Sequence, residues 1–206
     1  MSERVSTKER IKSATIGFGV IGEIRAGIVG AGLMGRWHAD AVKKAGGEVV
    51  GVADFDLTKA EALAGKYSNA PAFANVEEML SEQKIDVLHV CSPTESHADV
   101  SEIAINAGVH LLVEKPVAET ANATVKLYEM AAKNNTLLCP VHQFVFQNGV
   151  EKAKRRLQRI GQIVHVEANI CSAGGIGFDG KHLNEIANNI LPHPLSLIQK
   201  FIETDI

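Results

Sequence analysis

Short continuous apolar runs recur through the first two thirds of the chain, ending at Val29 and then covering residues 49–53, 87–91, 109–113 and 137–141. None of them alternates with polar residues, a pattern that suits strands buried on both faces of a parallel sheet. The stretches between them read as helices. One runs from the glycine-rich turn after Val29 to about Ala45. Asp56 can cap the next, which carries an apolar stripe of Ala60, Leu63 and Ala64 and extends to about Tyr67. Asn75 can cap a short helix over 76–82. A turn at residues 92–97 leads into a helix ending near Ala107, with Gly108 as its stop signal, and Thr120 can cap a helix ending near Asn134. Strand and helix in strict alternation imply an α/β fold with a doubly wound parallel sheet.

After residue 145 the pattern changes. Residues 150–159 read as a basic helix, and residues 163–171 alternate apolar and polar positions as one strand of a different, half-exposed sheet does. The glycine-rich residues 173–180 form a loop, and the helical pattern over 184–201 is interrupted by Pro192 and Pro194. Pro194 fits the first turn of a helix through Ile202, which places His193 near its start. The chain therefore divides into an N-terminal extension (1–25), a nucleotide-binding domain (26–145) and the beginning of an α+β open-sheet domain (146–206). A single alternating strand cannot bury its apolar face alone, so this last part needs further chain or another subunit.

Of the 206 residues, 46% are hydrophobic and 22% charged, enough apolar material for a real core. The formal charge of −3 gives no global reason to expect nucleic acid or an anionic membrane, and the basic residues 152–156 read as a solvated helix face. No stretch approaches the roughly 18 apolar residues of a membrane span. Cys91, Cys139 and Cys171 form no CxxC pair, which argues against zinc or a disulfide framework and suggests small core residues in a reducing, cytoplasmic setting.

The chemistry centres on Gly30-Ala31-Gly32-Leu33-Met34-Gly35, which lies between a strand and a helix, with Asp54 following the next strand 19 residues after Gly35. In this context the first glycine permits a tight turn, the second lets a pyrophosphate approach the backbone, and the third lets helix and strand pack closely. Free N–H groups at the helix start, over Leu33 and Met34, then face the phosphates. The Asp54 carboxylate can accept from an adenosine ribose and would repel a 2′-phosphate, which favours NAD over NADP. Residues 17–22 also spell GxGxxG, but too few residues follow for a crossover helix, so residues 15–24 form an extra apolar segment without an assigned role. In a doubly wound sheet the ligand lies beyond the carboxyl ends of the strands. There Ser92, Pro93 and Thr94, Glu114-Lys115-Pro116, and His142-Gln143 converge with the glycine turn and Asp54. His38, His89, His110, His165 and His182 show no ligand-like spacing.

The motifs GIVGAGLMG, VADFD, CSPTESH, GVHLLVEKPVAET and the strand leading to His142 together resemble the Gfo/Idh/MocA family, over about residues 26–171. The resemblance implies a Rossmann domain followed by an open-sheet domain that supplies substrate contacts and makes a homo-oligomer. It implies that Gly30, Gly32, Leu33, Met34 and Gly35 hold the pyrophosphate and Asp54 the ribose. Ser92, Pro93, Thr94 and His97 would line the nucleotide cleft, with Glu114 and Lys115 beside the nicotinamide; His142 and Gln143, from their place after a strand on the ligand side, are expected to contact substrate or nicotinamide. The family's DxxxH segment matches Asn189-Ile190-Leu191-Pro192-His193, in which asparagine replaces the acid. Lys115 would polarise the reacting oxygen, His193 would shuttle its proton, and Asn189 would orient His193 without supplying a compensating charge. The expected activity is hydride transfer between NAD and a sugar, cyclitol or related polyhydroxylated small molecule. Without the acid, the competing expectation is a dinucleotide-binding or regulatory module that lacks chemistry.

Overall fold

The computed structural model describes residues 24–67, 70–157, 159–171 and 189–202. Six strands, β1 (Arg25–Val29), β2 (Glu48–Ala53), β3 (Ala72–Phe73), β4 (Val87–Val90), β5 (His110–Val113) and β6 (Leu138–Pro140), form one sheet in the order β3-β2-β1-β4-β5-β6. Every pairing is parallel. The strand order reverses between β1 and β4, so the two connections leaving them diverge and open a crevice at their carboxyl ends.

Helices α1 (Leu33–Lys44), α2 (Leu57–Ala64), α3 (Val76–Glu82), α4 (Thr94–Asn106) and α5 (Ala121–Lys133) follow the first five strands in turn. Successive strand residues point to opposite faces. Ile28 and Val52 accordingly pack with Ala39 and Val42 of α1 and with Ala60 and Leu63 of α2. Val29, Leu88, Val90, Leu111 and Val113 pack on the other face with Met79, Ile105, Leu127 and Ala131. Ile28, Leu88 and Ile105 are fully buried, each worth about 2 kcal/mol of transfer free energy.

Local signals place most helix ends. Asn75 Oδ1 accepts from Glu78 N–H at 2.8 Å, Thr120 Oγ1 accepts from Ala123 N–H at 3.2 Å, and Gly108 takes φ +73°. Asp56 occupies the cap position of α2 without capping it; its carboxylate lies 3.5 Å from Lys59 Nζ instead. The helix stops at Ala64 rather than near Tyr67, because the following turns bury the Tyr67 ring and its hydroxyl donates to Asp40 Oδ1 at 2.6 Å. At the amino ends of the strands, Arg25 binds Asp86 through its guanidinium (2.6 and 3.0 Å) and its backbone N–H (2.9 Å), joining β1 to the approach to β4.

A 3₁₀ turn (Gln143–Phe146), α6 (Asn148–Leu157) and α7 (Pro192–Ile202) follow the sheet and contact one another. The last helix has Pro194 in its first turn and runs through Ile202, as expected, with His193 its second residue. The strand expected over residues 163–171 is not formed: the segment pairs with no strand among the described residues, and all of it after Ile163 is exposed. With no neighbour to supply a ladder, Val164 is 93% exposed. Two of the three cysteines also differ from expectation. Cys139 and Cys171 are exposed, since β6 is an edge strand and residue 171 ends the unpaired segment; Cys91 is half-buried. Residues 15–23 of the extra apolar segment (15–24) and the loop over 173–180 lie outside the described residues. Among the described residues no helix is long and apolar enough to cross a membrane.

Candidate active site

The crevice begins at the turn after β1. Gly30 has φ +94°, and its N–H donates to Ala53 C=O at 2.8 Å. A side chain there would be strained, and its Cβ would lie 2.6 Å from the Cys91 carbonyl. A Cβ at Gly35 would collide with the carbonyl oxygen of Gly30, whereas one at Gly32 would meet nothing within 4 Å. Gly32 thus leaves open space in front of the start of α1. That start has no side-chain cap and no acidic residue in its first turn, so the N–H groups over Leu33, Met34 and Gly35 are available to an anion. These features fit a pyrophosphate.

Asp54 is tied into the same turn. Its Oδ2 accepts from Ala31 N–H at 2.7 Å and its Oδ1 from Asp56 N–H at 2.9 Å. A carboxylate offers about four acceptor directions, so two remain for a ribose. A cavity of about 380 Å³ opens here, lined by Gly30, Asp54, Phe55, Ser92, Pro93 and Ser96 among others. Phe55 is 84% exposed at its edge, an apolar plate beside the acid. Ser92 is held in place by Ser96, whose hydroxyl donates to Ser92 Oγ at 2.7 Å. Thr94 opens α4 and does not line this cavity.

His97 is not a cleft residue. Only 1% exposed, it faces Pro116 C=O through Nδ1 and Ser92 C=O through Nε2, both at 2.8 Å. It clamps the turn after β4 to the turn after β5 from beneath. The signal was its place on the buried stripe of α4 with Ser101, Ala104 and Ile105, at helical spacing.

Past β5, Lys115 reaches across the crevice and its Nζ donates to Asn189 C=O at 3.0 Å. Asn189 therefore meets the site through its backbone, not its side chain. The expected Asn189 bond to His193 Nδ1 is not made: that atom is buried and has no partner among the described residues, and Asn189 is exposed. The His193 ring packs on Phe144, centroids 4.6 Å apart. His142 Nδ1 is likewise buried and unpaired, whereas Gln143 is exposed at the start of the 3₁₀ turn. Burial, followed by the Lys115 charge and by His142, holds His193 below the ordinary imidazole range. Burial also lowers His142, outweighing the nearby Glu114 carboxylate. One cation and two neutral imidazoles with free ring nitrogens thus share this end of the crevice. Among the described residues no group of acids, histidines and cysteines is placed to hold a metal.

Glu114 does not point at this end alone. Its Oε1 meets His38 Nε2 at 3.1 Å, and His38 Nδ1 meets His89 Nδ1 at 2.9 Å. No spacing signal marks these two histidines, because the contacts that join His38 to His89 and to Glu114 span 51 and 76 positions along the chain.

The model of an oxidoreductase family with an NAD-binding Rossmann fold, Gfo/Idh/MocA, matches residues 24–142. A scyllo-inositol 2-dehydrogenase (NADP(+)) of Bacillus subtilis is 26% identical over 156 residues, covering 72% of this chain and 45% of its own. A D-glucoside 3-dehydrogenase of Escherichia coli is 36% identical over 117 residues, covering 56% and 33%. Among solved structures, an NAD-binding protein from Listeria innocua superposes with a TM-score of 0.76 at 26% identity, covering 89% of this chain and 56% of that one. The chain spans less than half the length of the two curated relatives.

Proposed function

The chain belongs to the Gfo/Idh/MocA oxidoreductase family, and from that membership we propose that it oxidises or reduces a CH–OH group of a sugar, cyclitol or related polyhydroxylated small molecule with NAD. The observation that carries this reading is that the Lys115 ammonium lies close enough to His142 and His193 for its charge to lower both imidazoles, past the open amide turn. When bound, the nicotinamide supplies the hydride acceptor or donor. The N–H groups at the start of α1 bind the pyrophosphate and Asp54 binds the ribose. Lys115 Nζ lowers the proton affinity of the substrate hydroxyl in oxidation and polarises the carbonyl in reduction. His193 is the proposed carrier of the transferred proton, and its depressed pKa keeps the ring neutral and able to accept at neutral pH. His142 and Gln143, which follow β6 on the ligand side of the sheet, are the proposed contacts to the substrate or the nicotinamide.

The Asp54 carboxylate repels a 2′-phosphate, so NADH binds more tightly than NADPH; equal affinities would remove Asp54 from this role. The B. subtilis relative's use of NADP(+) makes that comparison informative. The exposed alternation over residues 163–171 supports a homo-oligomer in which another sheet or subunit covers it, and the composition supports a cytoplasmic setting. Turnover is tested with NAD across a panel of polyols and sugars. No turnover in a protein shown to bind NAD would favour a dinucleotide-binding module, the reading that Asn189 motivates. A large gain on Asn189→Asp would favour an enzyme weakened by the missing acid.

A further inference from the structure

We propose that His38 and His89 are positioning residues for Lys115: they lock the Glu114 carboxylate, whose second oxygen holds the Lys115 backbone N–H. The inference rests on the reading of Lys115 as the reacting lysine, but the lock is measurable without turnover.

The chain of contacts is continuous and sheltered. His89 on β4 is 8% exposed, and the side chains of His38 and Glu114 are 11% and 14% exposed. The two imidazoles meet edge to face, centroids 5.2 Å apart at 89°, with their Nδ1 atoms 2.9 Å apart. His38 Nε2 reaches Glu114 Oε1 at 3.1 Å, and Glu114 Oε2 accepts from Lys115 N–H at 3.2 Å.

Each proton in this chain has an assigned place. Burial pushes Glu114 up, but the His38 hydrogen bond and charge and the Lys115 backbone hold it below the ordinary carboxylate range overall. An ionised carboxylate only accepts, so His38 must donate from Nε2. Where His38 carries no second proton its Nδ1 is bare, and the close Nδ1 pair then requires His89 to donate from Nδ1. Burial, then His38, lowers His89 to about 4, so His89 is neutral.

The lock matters because of where β5 ends. Glu114 N–H makes the last bond on the β4 side of the ladder, to Val90 C=O at 2.9 Å. Lys115 N–H lies beyond it, and the next residue, Pro116, has no N–H to offer. The Glu114 side chain therefore completes at Lys115 what the sheet no longer does. His38 lies three residues after Gly35 on α1. The same helix that presents amides to the phosphates thus also steers the lysine at the reacting end.

The test is amide hydrogen exchange by NMR on the full chain. His38→Leu should speed exchange at Lys115 about tenfold while Leu111 and Val113 change less than about twofold. His38→Gln, whose amide can donate to Glu114, should return Lys115 to within about threefold of the unaltered chain. Unchanged Lys115 exchange in His38→Leu, or no rescue by glutamine, overturns the proposal. The unaltered chain supplies a second measurement should the leucine variant misfold. At mildly alkaline pH, ¹⁵N shifts should show His38 as the Nε2–H tautomer and His89 as the Nδ1–H tautomer; rapidly averaging tautomers would overturn the lock. With an active substrate, His38→Leu should lower kcat about tenfold and leave KM for the dinucleotide within about twofold. Absent turnover in the unaltered chain would defeat the hydride-transfer reading alone, because exchange and tautomers still decide this one.

Discussion

The two ends of the crevice are made in opposite ways. At the proposed phosphate end the groups on offer are backbone amides, and the side chains that matter are mostly missing ones: Gly30, Gly32 and Gly35 supply a turn, an opening and a close contact. At the reacting end everything depends on side chains brought from separate elements. Lys115 follows β5, His142 follows β6, and His193 is the second residue of α7. Backbone geometry of a short turn is dictated locally, whereas a constellation of side chains is only as good as the packing that carries it. The first end should therefore fail as a structure and the second as chemistry.

The largest expected effect tests that division at the reacting end. Lys115→Met should reduce turnover about a thousandfold while NADH binding changes less than about threefold. Steady-state kinetics and a fluorescence titration check this; a comparable loss of NADH affinity would erase the division. Gly35→Ala is the counterpart at the phosphate end. Its methyl must displace the Gly30 carbonyl, which should cost about 3 kcal/mol in a urea unfolding experiment and weaken NADH binding at the same time.

His97→Leu probes the hinge between the two ends. It leaves the Ser92 and Pro116 carbonyls without their partner, an expected loss of about 2 kcal/mol in thermal or chemical unfolding. The smallest effect is expected far from the crevice, at Arg25 and Asp86. The guanidinium hydrogen bond holds the Asp86 carboxyl down to about 2, despite the opposing effect of burial. Because the folded value lies below the unfolded one of about 3.9, the contribution is complete above that pH and is lost as the pH falls towards 2. Asp86→Asn should flatten this acid limb in unfolding curves from pH 5 to pH 2 and leave NADH binding unaltered. The pair is partly exposed, so screening keeps the change small.

How much of this was legible in the sequence follows from the same contrast. The glycine turn, the caps at Asn75 and Thr120 and the continuous apolar strands are readable because each depends on residues a few positions apart. The alternating pattern over residues 163–171 is equally legible, but pairing needs a second strand that no local pattern supplies. His97 and the pair His38 and His89 mark the limit. Their roles depend on carbonyls and carboxylates that only folding brings near, and a histidine on an apolar stripe looks the same whether it binds a ligand or a backbone. Asn189 shows the limit from another side. Its side chain was matched to a motif, yet its carbonyl is the group that meets Lys115.

One consequence concerns how such a protein could acquire a different coenzyme. Asp54 is both the group that would read the ribose and an anchor for the loop above it, through Ala31. Any exchange of that acid to welcome a phosphorylated coenzyme would also slacken the loop, so the simplest mutational route to new preference would be paid for in rigidity. Lineages or engineers wanting the switch would do better to begin at neighbouring Phe55, whose ring is 84% exposed and carries Lys59 Nζ over its face.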